Sequence, residues 1–124
     1  MEPHIFEDVV RVTTTGGAGV SAGSGTSHEL FGYLESIYVD YHASAPATTD
    51  VTIAFATRGG NILVLTNTNT DGLYCPVKQA CDAAGAAVAG AYLNHVLNQP
   101  ISVSVAQCDD LTDAVVVYIR YAKT

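Results

Sequence analysis

Val51-Thr52-Ile53-Ala54-Phe55-Ala56-Thr57-Arg58-Gly59-Gly60-Asn61-Ile62-Leu63-Val64-Leu65-Thr66 is the stretch that decides the fold. Val51, Ile53 and Phe55 alternate with Thr52, Ala54 and Ala56, so one face of an extended segment is apolar and the other is not. Arg58 to Asn61 then reverses the chain, with a glycine pair supplying the positive φ angles a tight hairpin needs. Ile62 to Thr66 returns as the second strand. The period of two recurs in Ile101, Val103 and Val105 against Ser102, Ser104 and Ala106. It recurs again in Ile37, Val39 and Tyr41 against Tyr38, Asp40 and His42.

Outward from these anchors, His28 to His42 reads as a long strand, with a bulge or bend near Gly32 and Glu35-Ser36. Ile5 to Thr14 and Ala114 to Ala122 read as the first and last strands. Pro46 to Asp50, Asn67 to Gly72, Asn98 to Pro100 and Asp109 to Asp113 carry turn chemistry. Leu73 to Val77 is a short strand whose Pro76 assigns it to an edge. Residues 1–5 and the Gly/Ser-rich stretch 15–27 are expected to be flexible, because so many glycines do not repay the entropy of ordering. Ala83 to Ala91 has helix propensity, but Gly85 and Gly90 each cost about 1 kcal/mol in a helix and no large apolar face is present. A loop with at most one helical turn is expected there, followed by a strand over Tyr92 to Leu97. About eight short strands without βα alternation predict a single all-β domain over 1–124, an antiparallel β-sandwich or barrel.

Composition narrows the function. The chain has 124 residues, five Lys and Arg against 12 Asp and Glu, and a formal charge of −7. Its few cations are scattered, which speaks against a nucleic-acid partner, since counterion release needs clustered cations. No stretch approaches the ~18 apolar residues of a membrane helix. Met1-Glu2-Pro3-His4 carries acid and no basic region, so no signal peptide is expected and the cytoplasm is the default compartment. Only 14% of residues are charged, too few to keep copies apart, so a homo-oligomer is expected.

Candidate chemical motifs are weak. Gly17-Ala18-Gly19-Val20-Ser21-Ala22 matches a dinucleotide fingerprint in form, but Gly23-Ser24-Gly25 cannot open the helix that motif requires. Cys75, Cys81, His95 and Cys108 have awkward spacing for structural zinc, and the three cysteines read as small buried hydrophobes. Asp40 and His42 share a strand face without a nucleophile elbow nearby. Asp109, Asp110 and Asp113 lack the calcium-loop pattern. No catalytic, cofactor or metal residue is therefore assigned, and no enzyme activity is expected. Seven tyrosines leave a carbohydrate-stacking platform open.

Several stretches resemble small proteins encoded among tailed-bacteriophage head genes. These are Val39-Asp40-Tyr41, Pro46 to Ile53, Leu63 to Pro76, Ile101 to Gln107 and Thr112 to Val117, covering about residues 37–119. The resemblance is to capsid cement (head decoration) proteins. It implies a jelly-roll sandwich, a trimer, and a place on the outer capsid surface of a virion, bridging major capsid protein subunits. Under that expectation His4, Ile5 and Phe6, in the N-terminal stretch Met1 to Phe6, and Val20, in the glycine-rich loop, are the candidate partner contacts. A small jelly-roll carbohydrate-binding or cupin-like enzyme domain is the alternative, although no His-x-His pair supports a cupin.

Overall fold

The computed structural model describes residues 4–123. Eleven strands form within them: β1 (His4–Thr14), β2 (Ser21–Thr26), β3 (Leu30–Tyr41), β4 (Asp50–Phe55), β5 (Asn61–Leu65), β6 (Gly72–Tyr74), β7 (Val77–Cys81), β8 (Ala87–Asn94), β9 (Val96–Gln99), β10 (Ile101–Cys108) and β11 (Leu111–Lys123). No helix forms among the described residues. One sheet runs β1-β11-β3-β6 with β9 also on β3; the other runs β2-β10-β4-β5. Every pairing is antiparallel. The order is that of a long antiparallel ribbon, β1 to β4 paired with β11 back to β5, rolled into two facing sheets. This is a jelly roll.

The alternation seen in the sequence fills the space between the sheets. Val51 and Ile53 of β4 and Ile101, Val103 and Val105 of β10 are buried from one side. Val10 and Val12 of β1, Ile37 and Val39 of β3, and Val117 and Ile119 of β11 meet them from the other. Each such side chain contributes about 1.5–3 kcal/mol through burial. Gly59 and Gly60 take positive φ at the β4–β5 turn, as the hairpin reading requires. The register between β3 and β11 slips at Glu35, where Arg120 faces Ser36 and Tyr121 faces Leu34. That is the expected bulge.

Three expectations are corrected. Of the segment expected to be flexible, His4 and Ile5 are paired in β1, opposite Lys123 and Ala122; Met1 to Pro3 lie outside the described residues. The stretch 15–27 is not one loop, because Ser21–Thr26 pairs with β10 as β2. Its glycines serve close approach. A Cβ on Gly23 would overlap the carbonyl oxygen of Thr13, and one on Gly25 would sit 2.9 Å from Val10 Cγ1 and 3.1 Å from the Arg11 carbonyl. The alanine-rich segment is a β-hairpin, β7–β8, rather than a loop. Its turn is made by Asp82, whose Oδ1 accepts from the Ala84 and Ala86 amides at 2.9 and 3.0 Å, with Gly85 at positive φ. Local turn chemistry and strand pairing override a weak helix propensity.

The hairpin also explains the excess over about eight strands. β6 pairs with Val39 to Ile37 and β9 with Tyr33 to Leu30, both on the same edge of β3. They are two halves of one edge strand. The chain leaves the sheet after Tyr74, builds the β7–β8 arm, and rejoins where the Leu34 amide donates to the His95 carbonyl at 2.9 Å.

Candidate functional site

The two outer faces of the sandwich differ in chemistry. On the β2-β10-β4-β5 sheet the register brings Ser24, Ser104, Thr52 and Val64 into one row and Thr26, Ser102 and Ala54 into the next. That is the small polar surface expected of a half-solvated sheet. On the other sheet Val9, Tyr118, Tyr38 and Leu73 form one row across four strands. Ile5, Ala122, Tyr33 and Val96 form a second. Between them lie Glu7, Arg120 and Ser36. Leu73 is 65% exposed, and Ile5, Tyr33 and Val96 each expose about half their surface. The face thus carries two apolar rows separated by a polar one.

The arm extends that face. Tyr92 and Leu93 of β8 and Val77 of β7 are exposed, and Tyr92, Leu93 and Lys78 border a cleft of about 490 Å³ with Tyr33 and Val96. Sequence reasoning missed these residues. Their signal was present only as large apolar side chains on the outer face of an alternating strand, and only the fold shows which other strands they stand beside.

The four candidate contacts do not come together. Ile5 belongs to the apolar row. Phe6 stacks on Tyr121, with ring centroids 5.7 Å apart, and Lys123 Nζ lies 5.2 Å from its centroid, so it is held by its own strand pair. His4 faces Lys123 at the strand end. Val20, 73% exposed, stands at the opposite end of β1, roughly 33 Å away at about 3.3 Å per residue.

The remaining candidate motifs resolve into structural roles. Asp109 Oδ1 accepts from the Gly19 amide at 2.8 Å and Asp110 Oδ2 from the Gly16 amide at 3.4 Å, while Asp113 pairs with Arg11 at 3.3 Å. The fingerprint-like glycines form that turn and then enter β2, a strand. His42 Nδ1 accepts from the Ser44 amide at 3.0 Å, and His28 pairs with Asp8 at 3.2 Å. His95 is buried with its ring edge-on to Phe55, centroids 5.8 Å apart; burial, then the Lys78 charge, pushes its pKa below the usual imidazole value. The histidines therefore lie at separate places. Cys108 is buried in β10, but Cys75 and Cys81 are exposed, which corrects the reading of all three as core thiols: both lie on the excursion that leaves the edge strand. Among the described residues no group of three His, Cys, Asp or Glu side chains could hold a metal. Tyr38 and Tyr118 are tilted by 57° at 6.2 Å, so they pack on each other and do not form a flat platform.

No family model matches the chain, and no curated protein matches it. Among solved structures, that of FLHE is similar in fold, with a TM-score of 0.51 and 14% identity over 98% of both chains. A family 29 carbohydrate-binding module from Piromyces equi gives a TM-score of 0.37 at 14% identity, over 99% of this chain and 80% of that one. An enzymatically active tailspike domain of bacteriophage CBA120 gives 0.37 at 11% identity, over 98% of this chain and 19% of that one. The similarity to FLHE at this identity speaks for the all-β fold alone.

Proposed function

We propose that the chain is a structural virion protein, a cement protein that sits on the outer surface of a tailed-phage head and bridges major capsid subunits as an oligomer, a trimer by family resemblance. One observation carries the reading: the apolar outer face of the β1-β11-β3-β6 sheet, set against a Ser/Thr face on the opposite sheet. An acidic, sparsely charged chain with such a face gains by burying it, and closed symmetry is the safe way to do so. The stretches that resemble cement proteins fall on β3, β4, β5, β6, β10 and β11 and their turns, the strands that build the sandwich and part of this face. Mechanistically the protein acts by mass action, stabilising whichever shell state it binds. Many symmetry-related copies let avidity supply what one contact lacks.

The test uses the purified chain and empty heads assembled from the major capsid protein of the same phage. Co-sedimentation with heads, a raised head melting temperature, and a trimer by analytical ultracentrifugation are expected. The double variant Tyr38→Lys, Leu73→Lys should stay folded, since both side chains are exposed, and lose head binding. Heads that neither retain nor are stabilised by the wild-type chain would overturn the reading.

A further inference from the structure

Where the arm returns to the sandwich, a cleft of about 360 Å³ opens between the β4–β5 turn, the start of β7 and the start of β9. Phe55 and Val96 line it with apolar surface; Arg58, Lys78 and His95 line it with nitrogen. Its lining holds no carboxylate, in a chain where acids outnumber bases 12 to five. Two of those five cations, twenty residues apart in sequence, are thus brought to one cleft by the split edge strand.

Both cations are uncommitted. Among the described residues Arg11 pairs with Asp113 and the His28 ring lies against Asp8, while Arg58 and Lys78 have no carboxylate partner. Glu29 and Arg58 both line a neighbouring hollow, without an ion pair between them. The β4–β5 turn is nonetheless fixed. Gln99 Oε1 accepts from the Thr57 and Arg58 amides at 2.8 and 2.9 Å, and its Nε2 donates to the Arg58 carbonyl. The backbone at Arg58 is thereby fixed at the rim, so the turn itself need not be ordered when a ligand engages the guanidinium; only the side chain does.

We propose that this cleft is a binding site for a small amphipathic carboxylate, whose charged group meets Arg58 and Lys78 and whose apolar body lies against Phe55 and Val96. The volume lies within the range of small-molecule sites, and the lining, more polar than most such sites, sets the two apolar side chains of Phe55 and Val96 beside three nitrogen-bearing ones. A guanidinium offers a planar fork to a carboxylate, and the ammonium adds a mobile point charge. The buried imidazole of His95, held neutral by its surroundings, would be drawn toward protonation by an arriving anion. The inference is independent of the capsid reading.

Benzoate, acetate and chloride, titrated at matched ionic strength into the uniformly ¹⁵N-labelled full-length chain, provide the test. Benzoate should move the amide signals of Phe55, Arg58 and Val96 with a dissociation constant on the order of 1 mM, and raise the His95 pKa read from its ring proton. Acetate should bind at least about fivefold more weakly, because it buries no ring. Arg58→Gln and Lys78→Gln, both surface changes, should each weaken benzoate binding about tenfold. Equal responses to benzoate, acetate and chloride would overturn the proposal, as would unchanged benzoate affinity in both variants.

Discussion

Gly23 of β2 lies so close to Thr13 of β1 that the Thr13 carbonyl oxygen occupies the place a Cβ on Gly23 would need. Here the corner strand passes directly over backbone. Gly23→Ala should therefore destabilise the fold by about 3 kcal/mol, the upper end for atoms forced into a packed site. Ser24→Ala, one residue on and exposed, should change stability by less than about 0.5 kcal/mol. Urea unfolding of the two variants separates them. A flexible glycine loop would give the opposite result, since Gly→Ala in a loop that accepts it stabilises.

Tyr41 is 6% exposed, and among the described residues its hydroxyl has no partner in good hydrogen-bond geometry, Thr68 being near enough only to temper its pKa. Burial first, and Tyr74 second, push its pKa up to about 12. The native state thus holds the proton more tightly than the unfolded chain. The resulting stability is fully present below pH 10 and is lost as pH rises from 10 toward 12. Tyr41→Phe should remove that alkaline loss and be neutral to about 1 kcal/mol stabilising at pH 7, because an unpaired buried hydroxyl disappears. Denaturation at pH 7 and pH 11 checks both.

His95 titrates in the other direction. Its folded pKa lies below 6.5, so the neutral ring is the native form. The stability it lends is complete above pH 6.5 and is lost as pH falls through the folded value. The Leu34 amide, which donates to the His95 carbonyl, should lose hydrogen-exchange protection at pH 5, measured against its intrinsic rate at that pH. His95→Gln should flatten that response.

The thiols divide two to one. Cys75 and Cys81 should react with an aromatic disulfide reagent within the native state, and Cys108 only after unfolding, because its side chain is fully buried in β10. Counting rapid and slow thiols by absorbance checks this; three rapid thiols would mean that β10 opens locally.

The core was legible because Val51, Ile53, Ile101, Val103, Val105, Ile37 and Val39 alternate without interruption, and period two has one structural meaning. Gly23 and Gly25 were not legible, since a glycine needed for flexibility and one needed for close approach are the same letter. Ala83 to Ala91 misled because alanine favours helices locally, while Asp82 and the pairing of β7 with β8 act across the turn. The apolar outer face was half legible. Alternation showed that Tyr38 points away from the core, but which residues stand beside it depends on strand order. That order joins β11 to β3 and β3 to both β6 and β9. The cleft at Arg58 and Lys78 was invisible for the same reason.

The interruption of the edge strand between Tyr74 and His95 makes that border of the jelly roll a socket. β6 and β9 stay in line on β3 whatever lies between them, so the intervening segment can change in length and composition without altering the register of either sheet. Scaffold and appendage are therefore free to evolve at different rates. A foreign loop spliced between Tyr74 and His95 would be displayed on a frame whose folding instructions lie elsewhere in the chain.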